Sequence, residues 1–251
     1  LDQLTTLSFV AARTDCLRLL TSVMVIPHRP PMLTAKMLAS ADILSKGRLT
    51  VGLGVGWMAE EIALLGAPTF ERRGKLADET IAALKILWTQ SDPEYVGEFV
   101  SFSDLKFEPK PTQRPHPPIW IGGETRPARR RAGRVGDGWY PVGNNPAAPY
   151  DDVKRFAAGL AEVQQFANEA GRDPKLLDIG LLALWYRMGE ALENEDGERM
   201  AFTGDAETIL EDIGSYAAAG LKHLVIGFES DDLQQSLDRL EAFAEMIMSK
   251  V

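Results

Sequence analysis

Residues 48–61 read RLTVGLGVGWMAEE, and the fold turns on how this stretch is understood. A short apolar run, Leu49–Leu53, enters glycines at 52, 54 and 56 and leaves into an acidic, helix-like stretch. Gly54-Val55-Gly56-Trp57-Met58-Ala59 fits G-x-G-x-x-G/A, the dinucleotide fingerprint. That fingerprint belongs on the first strand–helix turn, with an acidic residue about 20 positions on at the end of the next strand. Here a strand–helix unit comes earlier, and the acidic residues at that distance, Asp78 and Glu79, fall inside a strong helical pattern. The physics of the turn stands without that name. Glycine permits close backbone approach and positive φ, and a helix start offers free N–H groups and a positive dipole end to an anion. Gly52 reads as relief of crowding inside the strand, and Gly56, beyond the strand, as a phosphate contact.

Outward from this turn the chain keeps a strand-then-helix beat. Upstream, Leu1–Arg13 reads as a helix, and Leu17–Ile26 is an almost continuous apolar run, as expected of a strand buried on both faces. Met32–Ser45 has helical spacing, with Gly47 placed as a C-terminal cap. Downstream, Glu71–Trp88 is an amphipathic helix. An excursion at about 90–117 then interrupts the beat: an alternating, aromatic hairpin pattern over 95–107, followed by proline-rich EPKPTQRPHPP. Strand Ile119–Gly122, an arginine-rich helix to Arg134, strand GWYPV, helix Tyr150–Ala170 and a strand within Leu177–Tyr186 come next. Residues 189–204 are acidic and polar and read as a mobile loop. A helix capped by Asp205 or Thr203, strand KHLVIGF and helix Leu233–Met248 close the chain.

No composition shift marks a second domain, so residues 1–251 read as one. Alternating strands and helices imply an α/β fold with a parallel sheet. Six strands after an opening helix fit either an open doubly wound sheet or a (β/α)₈ barrel lacking its first two strands.

A second turn has the same grammar: strand, Gly122-Gly123, then a helix start with Glu124 and Thr125. Arg126, Arg130 and Arg134 share one helical stripe, and Arg126 alone lies in the first turn beside the glycines. Composition narrows the partners. A net charge of −9 argues against a nucleic-acid or anionic-membrane surface. The lone Cys16 and three separated histidines (His28, His116, His223) point to no metal site and suit a reducing cytoplasm. No apolar run nears the roughly 20 residues of a membrane span.

The stretches LTSVMVIPHRPPMLTAKMLASADILSKGRLTVGLGVGW (20–57), FEPKPTQRPHPPIWIGG (107–123), AGRVGDGWYP (132–141) and FTGDAETILEDIGSYAAAGLKHLVI (202–226) resemble the luciferase-like monooxygenase family. More narrowly, they resemble its branch that uses the deazaflavin coenzyme F420. The resemblance implies a TIM (β/α)₈ barrel, whose strands three to eight are the six seen here, and a homodimer. It also implies hydride transfer between reduced coenzyme F420 and a small organic substrate. A reduced-FMN monooxygenase and a non-catalytic flavin-binding barrel are the alternatives. By position, the resemblance assigns a cis peptide behind the flavin ring to Ser22-Val23. It assigns cofactor phosphate contacts to Val55, Gly56 and Glu60, and to Gly122, Gly123, Glu124, Thr125, Pro127 and Ala128, with Arg126 supporting the acidic tail. Met24, Trp57, Trp139 and Tyr140 are expected to wall the substrate pocket. Trp57 stands where some relatives carry a catalytic glutamate, and it transfers no proton. His28, on the loop after the first visible strand, is the remaining catalytic candidate.

Overall fold

The computed structural model describes residues 1–67, 70–146 and 148–251. It divides into two compact units, residues 1–122 with 135–137, and residues 123–134 with 138–251.

The first unit is built around its most apolar strand. Its elements are α1 (Gln3–Arg13), β1 (Leu19–Leu20), β2 (Met24–Val25), α2 (Pro31–Leu44), β3 (Leu49–Gly54), α3 (Ala59–Leu64), α4 (Arg73–Thr89), β4 (Tyr95–Val96), β5 (Ser101–Phe102) and β6 (Ile119–Gly122). All six residues of β3 are buried, which is why its sequence is apolar without alternation. It pairs in parallel with β1 (Leu19↔Leu49), β2 (Met24↔Leu53) and β6 (Val51↔Ile119). The single strand expected over Leu17–Ile26 is thus two short ones. Between them the Ser22–Val23 peptide is cis. There the Thr21 hydroxyl donates to the Gly52 carbonyl at 2.8 Å. A Cβ on Gly52 would lie 2.1 Å from the Thr21 backbone carbonyl oxygen, so the crowding read from the sequence is real.

Helix α4 buries Leu76, Ile81, Leu84, Leu87 and Trp88, and the Trp88 indole donates to the Ala35 carbonyl of α2 at 3.0 Å. Arg48 knots the end of α1 to the entrance of β3. Its guanidinium donates to the carbonyls of Ala11, Leu17 and Ser45 at 2.7–2.8 Å. The excursion contains the antiparallel pair β4–β5 and is pinned by Glu79 of α4, whose carboxylate accepts from the Phe99 and Val100 amides.

The second unit holds α5 (Arg126–Val135), β7 (Gly138–Tyr140), α6 (Val153–Glu169), β8 (Asp178–Ala183), β9 (Arg187–Met188), β10 (Thr203–Gly204), α7 (Ala206–Ala218), β11 (His223–Ile226) and α8 (Leu233–Met246). β8 lies between β7 (Gly138↔Asp178) and β11 (His223↔Gly180), all parallel. Asp152, Asp205 and Asp232 cap α6, α7 and α8. The core is aromatic: Trp139 stacks on Phe156 (centroids 5.9 Å apart), and Phe156 meets Tyr216, which meets Phe202.

Residues 189–204, expected to be mobile, are tied down. β9 pairs with β10, and Glu190 and Glu193 bridge to Gly204 and Arg199. Arg155 reaches Asp196 at 2.7 Å, and Arg199 grips Asp212 through two bonds of 2.7 and 2.9 Å. Ion pairs hold this segment, so its composition is polar without being that of a free loop. Among the described residues, no helix is long and apolar enough to cross a membrane.

Candidate cofactor site

In the first unit, β3 ends at Gly54 and the chain turns through Val55 and Gly56, where φ is +78°. A Cβ on Gly56 would stand 2.9 Å from Val25 Cγ1 and 3.1 Å from Ile62 Cδ1. Glycine is therefore demanded twice, by φ and by packing. Arg73 fixes the turn. Its Nε donates to the Gly56 carbonyl at 3.1 Å, and its guanidinium lies 3.7 Å from the Phe70 ring centroid. Trp57 follows, 80% exposed, and Glu60 is exposed on α3. Of the cis pair, Ser22 is exposed and Val23 half-buried.

His28 stands in the same unit with its Nε2 3.5 Å from Glu61 Oε2. That nitrogen is buried and makes no hydrogen bond. His28 lines a cavity of about 380 Å³ with Arg29, Leu33 and Met37. The other two histidines serve structure: His116 packs on Trp88, and His223 opens β11 near Asp178.

The second turn follows β6. Gly122 is the last strand residue, and Gly123 adopts φ +114°. The Gly123 carbonyl accepts from the Trp139 indole at 3.0 Å. Glu124 is buried, and both its carboxylate oxygens are occupied. Oε1 accepts from the Val142 amide at 2.7 Å, and Oε2 from Asn145 Nδ2 at 2.8 Å. Its side chain therefore clasps the segment after β7, and its carbonyl accepts from the Arg129 guanidinium. Thr125, Arg126 and Pro127 are exposed, whereas Ala128 is buried.

At the start of α5, the amides of Arg126 and Ala128 have no partner inside the helix. Pro127 brings no N–H to the first turn, where none is needed. This terminus, with the exposed Thr125 hydroxyl, offers donors suited to one phosphate.

Two arginines of α5 are paired with α6. Arg126 is mostly exposed, but its Nε pairs with Glu162 at 3.1 Å and its guanidinium lies over Phe166 of α6. Arg129 bonds to Glu162 as well, and to the Tyr150 hydroxyl at 2.8 Å. Burial pushes the Tyr150 phenol up, so it stays a neutral partner. Both cations are turned to α6 and engaged.

Of the four residues expected to wall the pocket, three lie in the interior. Trp139 is 0% exposed, with its ring against Phe156 and Tyr150, so it belongs to the layer between β7 and α6. Met24 is 1% exposed and borders only a small void beside Thr80 and Leu84 of α4. Tyr140 is buried, and Trp57 alone of the four is open. The Glu124 clasp was not legible in advance, because its partners lie 18 and 21 residues on, in a segment without a motif.

Comparison with known proteins gives these features a context. The family model described as luciferase-like monooxygenase matches residues 1–184. An FMNH(2)-dependent dimethylsulfone monooxygenase of Pseudomonas putida is 38% identical over 152 residues, covering 59% of this chain and 42% of that enzyme. The chain thus matches less than half the length of that relative. An uncharacterised protein of Mycobacterium bovis is 33% identical over 250 residues, covering 96% of this chain and 75% of that protein. The coenzyme F420-dependent tetrahydromethanopterin reductase of Methanopyrus kandleri superposes with a TM-score of 0.79. At 16% identity, with 100% of this chain and 88% of that one covered, it shows a shared fold.

Proposed function

The chain belongs to the luciferase-like monooxygenase family, and from that premise we propose that it is a reduced-flavin-dependent monooxygenase using FMN. The observation that carries this reading is the first turn of α5. Gly123, Thr125 and the amides of Arg126 and Ala128 make a site for a single phosphate, while Arg126 and Arg129 are spent on Glu162. FMN ends in one phosphate. Coenzyme F420 continues into a phosphodiester and glutamates, whose charge asks for cations that this helix start does not leave free. The 38% identity to an FMNH(2)-dependent enzyme supports the same choice.

A bound reduced flavin supplies two electrons for the activation of oxygen. The chain supplies the rest. The α5 turn holds the phosphate, and the Glu124 clasp keeps that turn rigid. Ser22, Val23, Val55, Gly56, Glu60, Gly122 and Pro127 stay assigned to the cofactor by correspondence with the family. Trp57 offers an apolar face, and Tyr140 remains assigned to the substrate pocket. His28, with its unbonded Nε2 near Glu61, is the group able to hold a proton.

Anaerobic titration with reduced FMN and reduced coenzyme F420 tests the choice, followed by oxygen uptake with the tighter binder. Tighter binding of FMN, with oxygen uptake, is expected. Tighter binding of the deazaflavin without oxygen uptake overturns the reading and restores hydride transfer from coenzyme F420.

A further inference from the structure

His28 and Glu61 meet at one end of the first unit's sheet. His28 ends the short turn Ile26–His28 after β2, and Glu61 lies on α3, beyond β3 and its glycine turn. β2 and β3 are adjacent and parallel, with Val25 opposite Gly54. The carboxyl ends of such strands are where α/β proteins place their chemistry. Glu61 has a half-exposed side chain on a fixed backbone. Its neighbour Ile62 is 1% exposed and stands against Gly56, and its own carbonyl accepts from the Leu65 amide at 3.2 Å.

The two ring nitrogens of His28 differ. Nε2 is buried, makes no hydrogen bond and faces Glu61 Oε2 at 3.5 Å. Nδ1 is neither buried nor bonded among the described residues. A neutral imidazole carries one proton, and what faces each nitrogen decides which one bears it. A bare Nε2 would set its lone pair against a carboxylate oxygen, two acceptors with no proton between them, where water does not reach. A proton on Nε2 turns the same contact into an attraction. The contact is longer than a hydrogen bond, so the carboxylate acts on Nε2 through its charge. The other charged pair beside His28 is closed on itself: Arg29, which borders the same cavity, is matched by Asp2.

We infer that Glu61 is a positioning residue for His28: it keeps the proton of the neutral imidazole on Nε2 and leaves Nδ1 as the free acceptor. A proton arriving at Nδ1 then gives an imidazolium whose Nε2–H faces the carboxylate. A carboxylate behind an imidazole steadies both forms in this way, fixing the tautomer of one and the charge of the other. Use of Nδ1 in turnover rests on the monooxygenase reading, whereas the place of the proton does not.

Nitrogen-15 NMR of the full chain without flavin tests this, at about pH 9, where an imidazole is neutral. The ring-nitrogen shifts report which nitrogen carries the proton, and His28→Gln assigns the signals. Wild type should hold the Nε2–H form over the Nδ1–H form by about tenfold or more. Glu61→Ala should lower that ratio about threefold or more. Glu71→Ala, which removes an equal charge from another exposed position of the same unit, should leave it within about 1.5-fold. Tm of Glu61→Ala should stay within about 2 °C of wild type, because Glu61 is half-exposed. A wild-type His28 protonated on Nδ1 overturns the inference. So does a ratio unmoved by Glu61→Ala, or moved as far by Glu71→Ala. A larger fall in Tm makes Glu61 a structural residue and overturns it too. Flavin titration of the same samples reports separately on the monooxygenase reading.

Discussion

Glu124 Oε1 accepts the Val142 amide at 2.7 Å, so a residue at the start of one helix clasps the chain just beyond the next strand. The bond joins the second glycine turn to β7's outgoing segment, and Asn145 completes it from the other carboxylate oxygen. Because the carboxylate is buried and fully used, its role is to set the shape of the turn.

Glu124→Ala should therefore lower stability by about 2–3 kcal/mol, since it strands a buried amide and loses two charge-assisted bonds. Glu124→Gln keeps an acceptor for Val142 and should lose about half as much. Urea unfolding measures both. If Glu124→Gln is as stable as wild type but loses flavin affinity tenfold, the carboxylate touches the cofactor and the clasp is secondary.

Arg126→Ala should leave FMN affinity within about twofold and stability within about 0.5 kcal/mol, as expected of an exposed ion pair. Fluorescence titration checks the first and thermal unfolding the second. A large loss of affinity means that Arg126 leaves Glu162 to meet the ligand.

Gly56→Ala should destabilise by roughly 2 kcal/mol or more, combining a left-handed φ with a contact that real Cβ atoms do not make. The control is Gly66→Ala, at φ +70° with open space around it, where only the conformational cost of about 1 kcal/mol applies. Equal losses would mean that Val25 and Ile62 yield.

Acid should loosen the first unit through Asp2. The Thr5 amide that it caps, then Arg29, hold its carboxyl at about 2, below the ordinary 3.8. A depressed folded value means that the folded state sheds the proton first. The stabilisation is complete above about pH 4 and drains away as pH falls through about 2. The margin of wild type over Asp2→Asn in urea midpoint should shrink over that window. A margin unchanged across it removes Asp2 from the acid response.

Local pattern carried much of the fold. β3 announced itself by an unbroken apolar run, α4 by helical spacing, and α7 by the capping Asp205, since each signal lies within one element. What escaped depends on partners far along the chain. Arg126 meets Glu162 across 36 residues, and Arg155 meets Asp196 across 41. Arg126 therefore read as available charge, and residues 189–204 as unanchored. The glycine turns were legible because positive φ leaves its mark in residue type.

Four of the five tryptophans, at 88, 120, 139 and 185, are 8% exposed or less, while Trp57 beside Gly56 is 80% exposed. The chain thus carries its own optical label. A collisional quencher such as iodide reads essentially one indole, and that indole sits next to the first glycine turn. A ligand settling over this turn shields Trp57 from the quencher, and one held elsewhere leaves the quenching slope unmoved. Occupancy of this turn can then be followed by light alone, without dye, tag or substitution.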